Sequence, residues 1–118
     1  MKTNSYKDLI VYQKAYVLAL EIYKATDAFH GTEKFGLVSQ LRRCAVSIPS
    51  NIAEGYRRGR NEYLQFLRIA FGSCSEFETQ ISLSKDLGYL KSEDFQRLYS
   101  LQEETSKLLA TVIRKMRT

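Results

Sequence analysis

At 118 residues, 44% of them aliphatic or aromatic and 26% charged, the chain is sized for one domain with an apolar core and is too apolar for disorder. One proline and six glycines favour long helices over short strands. No apolar run nears the roughly 18 residues that cross a bilayer and Met1 to Ser5 lacks a signal-peptide core, so a cytoplasmic protein without a membrane partner is expected. The net charge of +5 admits an anionic partner, nucleic acid included, without requiring one.

In chain order, the first predicted helix runs from about Leu9 to Phe29, with Ser5 or Asp8 as its cap. Its apolar residues fill more than one stripe. Tyr12, Ala15, Tyr16, Ala19 and Tyr23 form one, and Val11, Leu18, Ile22 and Phe29 lie beside it. A lone bundle needs one such face, so the excess points either to a surface buried against another subunit or to a generous core face. Asp27 to Lys34, with Gly31 inside it, reads as a loop.

The second helix is predicted from Phe35 or Leu37 to Arg58, and it contains the only proline, Pro49. Leu37, Leu41, Cys44, Ala45, Ile48, Ile52 and Tyr56 stay within about 120° of one another on both sides of it, which predicts one bent helix rather than two short ones. Pro49 has no N–H for the Ala45 carbonyl, and Ser47, Ser50 and Asn51 are placed to support the loosened backbone. Gly59 stands where a left-handed helix-ending residue is expected, and Asn61 is the cap of the next helix.

The third helix spans about Glu62 to Leu87, with Tyr63, Leu67, Ala70, Cys74, Phe77 and Ile81 on one stripe. Gly72, in its small-residue centre, costs about 1 kcal/mol against alanine, and a close approach by a neighbouring helix would compensate. Gly88 to Lys91 turns the chain. Ser92 caps a fourth helix that carries Phe95, Leu98, Tyr99, Gln102, Thr105, Leu109, Val112, Ile113 and Met116 to the end, where Arg114, Lys115 and Arg117 suit the helix dipole. The expected fold is therefore all-α: a single antiparallel up-down-up-down four-helix bundle.

Reactive constellations are few. His30, the sole histidine, sits beside Gly31 without ligand partners, and no Glu-x-x-His pairs of a di-iron bundle occur. Glu76 and Glu78 point to different sides of their helix, and Glu54 has Arg57 and Arg58 within pairing distance. Cys44 and Cys74 fall on apolar phases as buried small residues, and no glycine-rich phosphate loop is present. Neither an enzyme nor a cofactor or metal site is expected.

The strongest charge cluster is Arg57-Arg58-Gly59-Arg60, with Arg42 and Arg43 on the outer side of the second helix and Arg68 in the third. Near Tyr56 and Tyr63, these arginines are suited to holding phosphates and stacking on bases. The competing reading is a solvated, dipole-compensating helix end in which Glu54 takes up part of the charge.

The run Leu41 to Gly55 closely resembles the hallmark of the 23S rRNA-intervening-sequence protein family, small bacterial four-helix-bundle proteins; Ser47-Ile48-Pro49-Ser50-Asn51-Ile52-Ala53-Glu54-Gly55 is its specific part. Leu9 to Ala15 looks like that family's opening motif, and Phe66 to Ser73 with Glu76 to Gln80 like its third-helix motif. Tyr12 stands where tryptophan is common and Cys44 where alanine is usual. The resemblance implies a homopentameric, barrel-like assembly and a structural role for Ser47, Pro49, Ser50, Asn51, Glu54 and Gly55. A similar bundle is the accessory variability determinant of diversity-generating retroelements, a basic pentamer that engages nucleic acid. The resulting expectation is a non-enzymatic oligomer binding RNA or DNA through Arg43, Arg57, Arg58, Arg60 and Arg68, the alternative being a protein-interaction scaffold that binds no nucleic acid.

Overall fold

The computed structural model describes residues 5–29, 31 and 36–117. After a single 3-10 turn (Tyr6–Asp8) come four helices, α1 (Ile10–Thr26), α2 (Leu37–Tyr56), α3 (Arg60–Asp86) and α4 (Ser92–Met116). His30 and Phe35 lie outside the described residues.

The helix ends depart from the sequence expectation in several places. Ser5 does cap, but it caps the 3-10 turn, its Oγ accepting the Lys7 N–H at 3.1 Å, while α1 begins after Leu9 without a side-chain cap. α1 stops at Thr26, and Phe29 instead stacks on Tyr89 with ring centroids 5.7 Å apart. Gly59 is extended, at φ −65° and ψ 166°, and not left-handed. Only Arg57 to Gly59 separate α2 from α3, so the residue that leaves one helix is already the entry to the next, and an extended ψ makes that turn. Asn61 is accordingly inside α3 rather than its cap. The left-handed glycine is Gly88, at φ 87°, where the N–H groups of Tyr89 and Leu90 both reach the Ser84 carbonyl, at 2.9 and 3.2 Å. Ser92 is the first helical residue of α4; Lys91 precedes it as the cap position.

α2 runs unbroken through Pro49. Two side chains bond the backbone around it. Ser47 Oγ donates to the Cys44 carbonyl at 2.7 Å, and Asn51 Nδ2 donates to the Ser47 carbonyl at 2.7 Å. Ser50 is exposed, whereas Pro49 itself is buried.

One apolar core joins all four helices, built from Val11, Leu18 and Ile22 of α1, Leu41, Ile48 and Ile52 of α2, Leu67, Phe77 and Ile81 of α3, and Leu98 and Leu109 of α4. Each such side chain contributes about 1.5–3 kcal/mol by leaving water. Each helix packs against its chain neighbours, and α1 also packs against α4. Between α2 and α3 the numbering runs in opposite senses, Gln40 meeting Gln80 and Ser47 meeting Ser73, and so it does between α1 and α4, where Lys14 meets Glu104 and Glu21 meets Arg97. Glu78 meets Gln102 across α3 and α4.

On α1 the core takes Val11, Ala15, Leu18, Ile22 and Ala25, with Tyr12 and Ala19 packed at its edge, while Tyr16 and Tyr23 of the tyrosine stripe stay 50% and 44% exposed. Leu20, Val46, Ile69 and Leu83 are also open to solvent. The glycine at a close helix crossing is Gly55, not Gly72. A Cβ at Gly55 would lie 2.5 Å from Phe66 Cβ, whereas one at Gly72 would meet nothing within 4 Å.

Candidate nucleic-acid interface

The short link between α2 and α3 fixes Arg57, Arg58 and Arg60 at one end of the bundle. Each guanidinium has a different engagement. Arg57 lies over the Tyr6 ring, 5.5 Å from its centroid, and is otherwise exposed. Arg58 pairs with Glu54 at 2.9 Å and Glu62 at 3.2 Å and lies over Phe66; the two carboxylate bonds hold its pKa above the usual guanidinium value. Arg60 donates to the Met116 carbonyl at 2.7 Å and so ties the end of α4 to this corner.

That last bond gathers charge that the sequence spacing hides. Arg114, Lys115 and Arg117 close α4 and join the same end, 54 to 57 positions after Arg60 in the chain. Among the described residues there, Lys7, Arg57, Arg58, Arg60, Arg114, Lys115 and Arg117 stand against Asp8, Glu54 and Glu62. At the opposite end, among the described residues, Lys24, Arg42, Arg43, Lys85, Lys91 and Arg97 are nearly matched by Glu21, Asp27, Asp86, Glu93 and Asp94. The bundle is therefore electrically lopsided along its length.

The remaining candidates lie off that end. Arg43 is exposed and borders a groove between α2 and α3, fourteen residues before Arg57 and thus about 21 Å up the same helix at 1.5 Å per residue. Arg68 is exposed on α3, about 12 Å from Arg60 by the same rise. Arg42, expected on the outer side of α2, is instead folded over Tyr23 at the far end. Its Nε donates to Thr26 Oγ1 at 2.9 Å and its terminal nitrogen to the Tyr23 carbonyl at 3.2 Å and Asp27 at 3.1 Å. It caps α1 and offers little to a ligand.

The hallmark run lines the junction of α2 with α3. Ser47 Oγ and Ser73 Oγ bond at 2.8 Å, the Cys44 thiol donates to the Ser73 carbonyl at 3.1 Å, and Gly55 receives Phe66. Glu54 belongs to the Arg58 clasp. Burial, reinforced by the nearby Glu76 carboxylate, pushes the Cys44 thiol from 9.0 to about 12, and burial pushes Cys74 to about 11. Neither is a nucleophile near neutrality. Glu76 turns toward Cys44 and Glu78 toward Gln102, so the two carboxylates serve opposite seams. Among the described residues no three His, Cys, Asp or Glu side chains are grouped to hold a metal, and no helix is long and apolar enough to cross a membrane.

Fold and site together define a small helical bundle with one strongly basic end and no assembled catalytic group among the described residues. The sequence model of the 23S rRNA-intervening sequence proteins matches residues 7–111, and the chain belongs to that family. A solved structure from Bacteroides thetaiotaomicron, described as a protein with unknown function from the S23 ribosomal protein family, superposes with a TM-score of 0.82 at 25% identity. The alignment covers 89% of this chain and 96% of that one. No curated protein matches this chain.

Proposed function

We propose that this protein is a non-enzymatic, cytoplasmic accessory factor that binds RNA or DNA through its basic end and acts as a homo-oligomer, a pentamer by the family resemblance. The observation that carries the reading is the charge asymmetry: among the described residues, seven cations against three acids at the Arg57 end, six against five at the other. Arg57 and the α4 terminus supply the phosphate contacts. Arg58 and Arg60 shape the corner by holding Glu54, Glu62 and Met116, and Arg43 and Arg68 extend the path along the α2 and α3 faces. Self-association is supported by apolar surface on two sides: Tyr12, Tyr16, Ala19, Val46, Pro49 and Ala53 border a shallow cleft between α1 and α2, while Ile69 and Leu83 are exposed on α3. Two different faces suit a head-to-tail ring better than a two-fold dimer. A ring repeats the basic end and multiplies weak phosphate contacts.

Fluorescence anisotropy of a labelled single-stranded RNA across a salt series tests this. Each lost phosphate contact lowers the slope of log affinity against log salt by about 0.7. Arg57→Ala combined with Arg114→Ala and Arg117→Ala flattens the slope by about 2 on that scale, and Arg97→Ala at the opposite end leaves it alone. An unchanged slope in the triple variant, or binding that ignores salt, refutes the assignment and leaves the scaffold reading. Light scattering against the 13.7 kDa chain mass reads the assembly.

A further inference from the structure

The basic end carries aromatic rings as well as charge. The 3-10 turn that precedes α1 is pinned twice: Ser5 Oγ accepts the Lys7 N–H at 3.1 Å, and Gln13 Nε2 donates to the Lys7 carbonyl at 2.9 Å. The turn also packs against α2, which sets Tyr6 beside the end of that helix although Tyr56 and Arg57 lie 50 and 51 positions later. Ser5, Tyr6, Tyr56 and Arg57 line a pocket of about 410 Å³ that is open to solvent, within the roughly 300–1,000 Å³ of small-molecule sites. Tyr12 meets Tyr6 with ring centroids 5.0 Å apart and Tyr63 meets Tyr56 at 5.8 Å, both edge to face, so each pocket ring is braced by a neighbour. Both pocket tyrosines are half-buried, and the exposed Arg57 guanidinium lies over Tyr6.

We infer that this pocket takes an unpaired base of a single-stranded nucleic acid, so that the basic end holds single strands by their bases as well as by their phosphates. The inference rests on the nucleic-acid binding proposed above and adds the class of strand. Phosphates alone do not call for rings, because lysine and arginine satisfy them on a duplex and on a single strand alike. Rings set among cations offer a flat apolar surface to a base, and a base has a face to give where the strand is unpaired; inside a duplex both faces are covered by the neighbouring pairs. Arg57 suits the two parts of such a ligand, its plane stacking on rings and its fork gripping the phosphate beside the stacked base. Stacking uses the face that every base has, so the pocket distinguishes strandedness and not sequence.

Fluorescence anisotropy of the full chain with labelled probes of equal length tests the pocket: oligothymidylate, an abasic strand that keeps the phosphates and lacks the bases, and a duplex. The native chain binds oligothymidylate at least about fivefold more tightly than the abasic strand, the lower end of what one base–aromatic stack is worth. Tyr6→Leu with Tyr56→Leu erases that preference. It leaves abasic and duplex affinities and the slope against salt unchanged, because neither ring carries charge. Tyr6→Phe with Tyr56→Phe keeps the preference, because the ring and not the hydroxyl stacks. Equal affinity for oligothymidylate and the abasic strand, a preference that survives the leucine pair, an equal loss on the abasic strand or the duplex, or a preference lost in the phenylalanine pair each overturn the inference while salt-dependent binding itself stands. If no probe binds in a salt-dependent way, the nucleic-acid reading fails first and takes the pocket with it. The comparison of the two strands on the native chain needs no variant, so it decides the matter even where a substitution unfolds the bundle.

Discussion

Gly55→Ala and Gly72→Ala are the same chemical change in two helices, and the packing gives them opposite signs. In either helix, alanine gains about 0.5–1 kcal/mol by limiting the freedom of the unfolded backbone. At Gly55 the new methyl would lie 2.5 Å from Phe66 Cβ and 3.2 Å from Phe66 Cγ and Tyr63 Cδ1, against an ordinary carbon contact of about 3.5–4.0 Å. Phe66 Cβ is fixed to its backbone and cannot swing aside, so α2 and α3 must part by roughly 1 Å at their crossing. Overpacking of this kind costs about 1–3 kcal/mol, leaving a net loss of about 1–2 kcal/mol once the backbone gain is subtracted. For a chain of this length that is a fall of about 4–10 °C in the melting midpoint, while Gly72→Ala, with nothing within 4 Å of its methyl, rises by about 2–5 °C. Circular dichroism melts at two protein concentrations read both. Shifts of the same sign, with no dependence on concentration, refute the packing assignment.

Arg42→Lys cannot reproduce the fork that reaches Thr26, the Tyr23 carbonyl and Asp27, so it loses about 1–2 kcal/mol, and a melt within about 1 °C of the native protein would contradict the cap. Arg57→Ala weakens RNA binding more than Arg58→Ala, because the Arg58 charge is already matched by Glu54 and Glu62; anisotropy at low salt ranks the two, and the reverse order counts against the reading. Both thiols are held protonated in the folded state and ionise from 9.0 when unfolded, so stability is intact below about pH 9 and falls as pH rises toward 11 and 12. Melts from pH 8 to 11 show that decline, and Cys44→Ala with Cys74→Ala makes it shallower; an identical decline in the double variant would remove the thiols as its cause.

What the sequence reveals depends on the range of the interaction. A single apolar phase on both sides of Pro49 predicts one helix, and α2 is one helix, because phase is a local property that a proline does not erase. The Glu54–Arg58 pair is legible for the same reason, four residues apart on one helix face. Glycine placement is not legible in this way. Gly59 and Gly88 both follow a helix, but Gly59 has no room to act as a terminator before α3 begins. Gly72, flanked by the buried Ala70 and Cys74, has its Cα on the far side of α3 from the core, whereas Gly55 looks at a partner 11 residues later in the chain. The basic end is half legible. Arg57, Arg58 and Arg60 are adjacent in sequence, but the contribution of α4 depends on a contact between Arg60 and Met116, 56 residues apart.

The Ser-Ile-Pro-Ser-Asn-Ile-Ala-Glu-Gly run acquires a physical meaning from this geometry. Ser47, Asn51 and Gly55 recur every four residues, so they form one stripe on α2, offset from the core stripe of Ile48 and Ile52. Along that stripe the requirement is small size and local hydrogen bonding. Ser47 meets Ser73, Asn51 returns to the backbone two residues before Pro49, and Gly55 lets Phe66 in. Apolar side chains at Ser47 and Asn51 would close the groove that holds Gln80 and Glu76, and would leave the Ser73 hydroxyl without its partner. The run is thus a docking seam for α3.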